Sequence, residues 1–250
     1  MLNGIAKLKD TGRMAIIQNG SPLFSGDAGS GQSNIRGYLL ENDWLEAIIQ
    51  LPNDMFYNTG IATYIWVVSK SKPEKRPDTV KLIDASKCFE KRRKSLGNKR
   101  NEFTKECIDL IVKAYLAAEG GVFENDGKIV ERKDFDRFTF KYSKVMVERP
   151  LCDDSGAPIL KRGKPQPDSS LRDTEIIPWG TDFAEYMQKN VLPYALDAWI
   201  DEKKTKIGYE IPFTRHFYKY VPPRKSEDIF THLVEMSKEE EKLMKELFGE

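Results

Sequence analysis

The sequence predicts an α/β fold, and three observations carry that expectation. Two apolar runs, 45–51 and 62–69, are rich in β-branched and aromatic residues and read as buried strands. Two other stretches, 105–118 and the region after Ser226, repeat apolar residues at helical spacing instead. Hydrophobic residues make up 40% of the 250, enough for a sizeable core in one large domain or a domain with an appendage.

In chain order, residues 1–11 read as the end of a helix and a turn, with Ile5 and Leu8 on one face. Residues 13–18 read as a short buried strand, and Asn19-Gly20-Ser21-Pro22 has the composition of a turn. The pattern predicts a helix over 34–41 with Ser33 as its N-cap. Residues 71–78 hold two prolines and many charges and read as an exposed connection; 79–83 read as another strand. Thr104 is placed to cap the next helix, where Ile108, Ile111, Val112 and Tyr115 share a face. From 120 to 141 the pattern is mixed, with turns at Gly120-Gly121 and Asn125-Asp126-Gly127. Residues 142–148 alternate like a strand, and prolines, glycines and charges make 151–173 a surface linker. Residues 183–196 read as helical up to Pro193. The last helix carries Ile229, Leu233, Met236, Leu243 and Leu247 on one stripe, interrupted by Glu240, and that stripe suits packing against a partner.

Composition narrows the chemistry. Three widely spaced cysteines form no Cys-x-x-Cys pair, and two histidines cannot build a histidine-rich metal site. No apolar run reaches the length of a membrane span, and no basic-then-apolar leader opens the sequence, so a cytoplasmic location without membrane contact is expected. The net charge of +1 is neutral on the question of nucleic acid, but its distribution is not. Lys87, Lys91, Arg92, Arg93, Lys94, Lys99 and Arg100 cluster against Glu90 alone. Such a run is either a solvated surface loop or a set of phosphate contacts, with Arg92, Arg93, Lys94, Lys99 and Arg100 as the candidates. Gly97 and Asn98 form a turn that would present Lys99, Arg100 and Asn101.

Between the two apolar runs lies a polar loop with two adjacent aromatics, Phe56 and Tyr57, and then Asn58-Thr59-Gly60. Loops at the rim of an α/β sheet are where ligands bind. Phe56 either plugs the end of the sheet or stacks on a nucleobase, as enzymes that flip a base out of a duplex require. The glycine-rich stretch 26–33 lacks both the P-loop lysine and the Gly-x-Gly-x-x-Gly spacing, so it reads as a loop leading into a helix. The acidic clusters around 172–175 and 197–201 have no neighbouring histidine and read as structural.

Several of these segments carry a resemblance. Gly12-Arg13-Met14-Ala15-Ile16-Ile17, Leu23-Phe24, Ile35-Arg36 and the run onward to Lys70 resemble the modification (methyltransferase) subunit of type I restriction-modification systems, an adenine-N6 DNA methyltransferase. Residues 206–218 resemble the same family's C-terminal region, whereas 121–167 match loosely.

The resemblance implies a Rossmann-like methyltransferase sheet of which residues 13–69 supply strands five to seven, the last antiparallel. It implies that Phe56 packs against the flipped adenine, with Tyr57 as the alternative. It divides the chain into part of the catalytic domain (1–86), a basic loop with a mixed segment (87–150), the linker (151–173) and a mostly α-helical, partner-binding extension (174–250). The family uses S-adenosylmethionine, yet its glycine-bearing cofactor loop and its Asn/Asp-Pro-Pro-aromatic motif do not occur here. Val221-Pro222-Pro223-Arg224 has neither a polar residue before the prolines nor an aromatic after them. The chain alone is therefore expected to bind no cofactor and to be inactive. The implied partners are double-stranded DNA and the specificity and restriction subunits, with the final helix docking on the specificity subunit. An unpaired central strand edge further suggests a homodimer or a partner complex. A non-catalytic DNA-binding or subunit-assembly module is the alternative reading.

Overall fold

The structure, a computed structural model, describes residues 1–72 and 77–249. Of the expected connection 71–78, residues 73–76 lie outside the described residues. Two compact units are present, Met1–Phe213 and Thr214–Glu250.

The first unit opens with helix α1 (Leu2–Lys7), strand β1 (Arg13–Asn19), a single helical turn α2 (Ser21–Phe24) and helix α3 (Gly31–Glu41). Strands β2 (Leu45–Gln50), β3 (Thr63–Ser69) and β4 (Thr79–Lys87) follow, then the short pair β5 (Glu90–Leu96) and β6 (Lys99–Glu102). Helix α4 (Lys105–Leu116) leads to β7 (Gly121–Asn125), β8 (Lys128–Asp136) and β9 (Lys141–Glu148). The two-residue strands β10 (Leu160–Lys161) and β11 (Lys164–Pro165), strand β12 (Asp173–Pro178), helix α5 (Phe183–Tyr186) and β13 (Trp199–Tyr209) complete it.

Six strands form a mixed sheet in the order β1-β3-β2-β4-β8-β7. Only β2 and β4 pair in parallel; β3 runs antiparallel to both β1 and β2. Alternation along the strands divides the core between two faces. Ala47, Ile49, Leu51, Val67, Ile83 and Ala85 meet Cys107, Leu110, Ile111 and Ala114 of α4 on one face. Each valine, leucine or isoleucine among them, fully buried, contributes roughly 1.5–3 kcal/mol before entropy is charged against it, and each alanine less. Thr104 caps α4 as expected, its hydroxyl accepting from the Cys107 N–H at 3.4 Å. On the other face Ile48, Trp66, Val68 and Leu82 are buried, as are Leu39 and Leu40 of α3. The ring of Tyr64 meets Phe213 edge-on at 5.3 Å on this face.

A second sheet, β12-β9-β13, has its own core of Val145, Val147, Ile177, Met187 and Val191. It joins α3 through polar contacts. Arg36, buried, donates from Nε to the Tyr209 carbonyl at 2.6 Å, and Ser33 Oγ accepts from the Tyr209 N–H at 2.9 Å. Gly37 lets the helix approach, since a Cβ there would lie 2.5 Å from the Tyr209 ring.

Several expectations need correction. Residues 13–18 form a strand, but not a buried one: β1 is an edge strand, alternately exposed and half-exposed, because only β3 pairs with it. Ser33 does not cap α3; Ser30 does, and Ser33 is instead buried against Tyr209. Residues 90–102, which hold most of the basic run, form a β-hairpin rather than a loop, paired only with itself among the described strands, whereas Lys87 ends β4 and pairs with Ile129. The region 174–250 is not mostly helical throughout, because β12 and β13 pair with the two sides of β9. Lysines on the exposed face of β13 hide its alternation, a usual feature of edge strands. The turn at Asp126-Gly127 closes a hairpin between β7 and β8, both residues with positive φ, as a type I′ two-residue turn requires.

Helix α6 (Phe213–Phe217) begins at the last residue of the first unit, and the second unit holds the long helix α7 (Ser226–Phe248). The residues of its apolar stripe, Ile229, Leu233, Met236, Leu243 and Leu247, are all exposed. No helix among the described residues is long and apolar enough to cross a membrane.

Candidate nucleic-acid interface

Because β1 and β2 both run antiparallel to β3, and β4 parallels β2, these three strands end at the same rim of the sheet. The loop 51–62 leaves β2 at that rim, where open α/β sheets bind ligands. Leu51, Pro52 and Met55 are buried and anchor it. The loop closes on itself: Asp54 N–H donates to the Gly60 carbonyl at 3.3 Å, and Phe56 bridges to Thr59. Asp54 adopts φ +56°, a conformation that aspartate tolerates better than most residues. The two aromatics then part ways. Phe56 is half-buried and packs against the core under α4, whereas Tyr57 is 64% exposed.

The basic hairpin meets this loop. Leu96 pairs with Lys99, leaving Gly97 and Asn98 as the two-residue turn, with Gly97 at φ +60°. Asn98 N–H donates to the Tyr57 carbonyl at 2.9 Å. Arg100 and Asn101 donate their N–H groups to the Asp54 carbonyl at 3.0 and 3.1 Å, and Asn101 Nδ2 donates to the Asn53 carbonyl at 2.8 Å. A Cβ at Gly97 would come within 2.6 Å of the Tyr57 carbonyl oxygen, so glycine is required twice over. The turn is therefore where the sequence places it, but Asn101 is not presented to solvent; it is buried and ties the hairpin to the aromatic loop.

The candidate cations divide. Arg93, Lys94 and Arg100 are exposed, and Lys99 is half-buried. Arg92 is engaged with Glu102 and donates to the Lys94 carbonyl at 3.3 Å. Glu90, the acid within the basic run, pairs with Lys128 at 2.7 Å. The rim thus carries two aromatics and a row of cations on elements locked together by four hydrogen bonds. Neither the pairing of 90–102 nor the tie to the loop was legible, since the tie runs through backbone carbonyls that no residue pattern reports.

Other polar groups are structural. Glu46, buried at a bulge in β2, accepts from Arg13 Nε at 2.9 Å and from the Tyr115 hydroxyl at 2.6 Å, joining β1, β2 and α4. Burial, reinforced by Glu46, pushes the Tyr115 phenol up. Burial also pushes the Cys88 thiol up to about 12, so it is no nucleophile at neutral pH. In the acidic cluster 197–201, Asp197 pairs with Arg149 at 2.9 Å and Asp201 with Lys204 at 3.0 Å; in the cluster 172–175, Glu175 accepts from the Tyr186 hydroxyl at 2.8 Å. No group of His, Cys, Asp and Glu among the described residues could hold a metal ion. The stretch 26–33 forms a loop into α3, its Gly26 carbonyl and those of Pro22 and Ser25 turned toward Arg36.

Comparison with known proteins adds the deciding observation: residues 1–146, more than half of the chain, match the N-6 DNA Methylase family model. The chain belongs to the N-6 DNA methylase family. This family member is 34% identical over 103 residues to the type I restriction enzyme MjaVII methylase subunit of Methanocaldococcus jannaschii, covering 41% of this chain and 17% of that one. It is 36% identical over 80 residues to the MpnII methylase subunit of Mycoplasma pneumoniae, covering 31% and 14%. The chain thus spans less than a fifth of the length of these relatives. Among solved structures, the methyltransferase subunit of a type I restriction-modification system from Streptococcus thermophilus is similar at 31% identity and a TM-score of 0.41, over 53% of this chain and 25% of that one. A modification subunit of a putative type I restriction enzyme from Vibrio vulnificus gives 20% identity and a TM-score of 0.37, over 58% and 25%.

Proposed function

We propose that this methylase-family chain is part of the modification subunit of a type I restriction-modification enzyme. In the intact enzyme a methyl group passes from S-adenosylmethionine to adenine N6 in duplex DNA. The observation that carries the reading is the junction of the 51–62 loop with the basic hairpin at the carboxyl rim of the sheet. It combines the two requirements of a base-flipping enzyme: an aromatic wall for the extruded base and cations for the flanking phosphates. Phe56 is the proposed adenine contact, and the more exposed Tyr57 the alternative. Arg93, Lys94, Lys99 and Arg100 are the proposed phosphate contacts, with Arg92 available once Glu102 releases it.

Strands β1, β2 and β3 take the places of strands five to seven in this reading, and the free edge of β1 receives the remainder of the sheet. The glycine-rich loop into α3 does not fit S-adenosylmethionine. The Ser33 N–H at the start of α3 is answered by Ser30 Oγ, and the carbonyls of Pro22 and Ser25 before it turn inward to Arg36. No step through the cofactor therefore belongs to this chain. The exposed stripe of α7 is the proposed contact with the specificity subunit, and the restriction subunit completes the assembly.

Isothermal titration with S-adenosylmethionine tests the reading, and no binding is expected; tight binding would overturn the division of labour. Titration of the chain with duplex DNA at low salt is expected to show binding that weakens steeply as salt rises. The exposed hairpin also supports a second reading, a non-catalytic DNA-binding or assembly module. Phe56→Ala separates the two: a base contact lowers affinity for a duplex holding an unpaired adenine more than for a fully paired one, whereas a module that touches only phosphates treats them alike.

A further inference from the structure

The tip of the basic hairpin carries an observation that phosphate binding does not use. Leu96, the last residue of β5, is 54% exposed at the turn, with Tyr57 64% exposed and Ile61 57% exposed on the loop that the hairpin is tied to. The Tyr57 ring lies beside the turn, 3.5 Å from where a Cβ on Gly97 would be. An apolar tip in water is explained when a partner covers it. The flanking charges say which partner: Lys94 and Arg93 precede Leu96, and Lys99 and Arg100 follow the turn, so a polyanion is attracted to both sides of it.

The shape agrees. The major groove of duplex DNA admits a two-stranded β-ribbon, and β5 with β6 is such a ribbon, paired with no other described strand. Apolar side chains that reach base steps, as those of many minor-groove binders do, insert between them and unstack them. The four hydrogen bonds to the 53–57 segment hold the tip in place, so insertion needs no ordering of the hairpin. We infer that Leu96 is a wedge that enters the base stack of duplex DNA beside the extruded nucleotide, with Tyr57 as its neighbour. This rests on the DNA-binding reading above and adds to it a residue that contacts bases without hydrogen bonding to them.

The test compares two duplexes of one sequence, one intact and one with a single abasic site, whose base step is already unstacked. Anisotropy titrations at about 50 mM salt give both affinities for the full chain. A wedge gains from the site that needs no unstacking, so the chain is expected to prefer the abasic duplex by about tenfold. Leu96→Ala is expected to abolish that preference by weakening binding to the abasic duplex. The double variant Arg93→Ala, Lys94→Ala is expected to weaken both duplexes by one common factor and keep the preference. Circular dichroism of Leu96→Ala checks that the exposed substitution leaves the fold intact. A preference that survives in Leu96→Ala, or is missing from the unaltered chain, overturns the wedge while leaving the DNA reading standing. No binding to either duplex overturns both.

Discussion

Gly97→Ala tests the junction on which the functional reading depends. Gly97 sits at φ +60°, where an L side chain costs about 1–2 kcal/mol. Its new Cβ would stand 2.6 Å from the Tyr57 carbonyl oxygen, so hairpin and loop must separate. Separation breaks the 2.9 Å bond from Asn98 N–H, about 1 kcal/mol more. The sum, about 2–3 kcal/mol, falls on the junction rather than on the sheet, because β5 and β6 pair only with each other. Local opening then sets amide exchange, and the cost corresponds to roughly 30- to 150-fold faster exchange at Asn98, Arg100 and Asn101. Amides of β2, β3 and β4 should keep their protection. Hydrogen exchange followed by mass spectrometry or NMR reads this directly. Unchanged exchange at those three amides would refute the junction, and equal acceleration in β3 would show that it is not a separate opening unit.

Gly37→Ala places a Cβ 2.5 Å from the buried Tyr209 ring and is expected to lower stability by about 1–3 kcal/mol, read as a shifted denaturation midpoint; an unshifted midpoint contradicts the close approach of α3. Burial works against charge on Glu148, but hydrogen bonds from Arg172 at 2.9 Å and Lys204 at 2.7 Å outweigh it and hold the carboxyl below its ordinary value of 4.5. A group whose folded pKa is depressed stabilises above the unfolded value and loses that contribution as pH falls through the folded one. Melting temperature should therefore drop as pH falls below 4.5, and Glu148→Gln should flatten that limb; an unchanged limb removes Glu148 from the acid transition. The free edge of β1, without proline or bulge, should draw the isolated chain into dimers or a partner complex, and a monomeric mass by light scattering at high concentration counts against that.

What was legible in the sequence follows from where each element is buried. Strands β2 and β3 lie inside the sheet with both faces covered, so their sequences are nearly continuous apolar runs. Thr104 announced α4 because its cap is local and made by its own side chain. The hairpin β5–β6 gave no such signal: its residues are charged on both faces, and its register is set by Gly97 and by carbonyls of the 53–57 segment. Strand β1 read as buried because Ala15, Ile16 and Ile17 are apolar, yet half of that surface is open. Of the candidate site, Phe56, Tyr57 and the cations were all identifiable as residue types. That they share one rim was not, because it depends on contacts between segments far apart in sequence, such as Asn101 Nδ2 to Asn53, 48 residues away.

The two functional readings make different demands on the same rim. A phosphate-binding module needs only the cations, and for it the fixed link between hairpin and loop would have no use. Base extrusion does need the link, since backbone neutralisation and base contact must act on one nucleotide and a small misplacement forfeits much of the rate. Here the link is specified at several independent positions: a positive φ at Gly97, a buried Asn101, a positive φ at Asp54 and the bridge between Phe56 and Thr59. None of these raises affinity for DNA by charge. Their combined effect is to fix the distance between aromatics and cations, and that precision favours chemistry on a base over retention of a duplex.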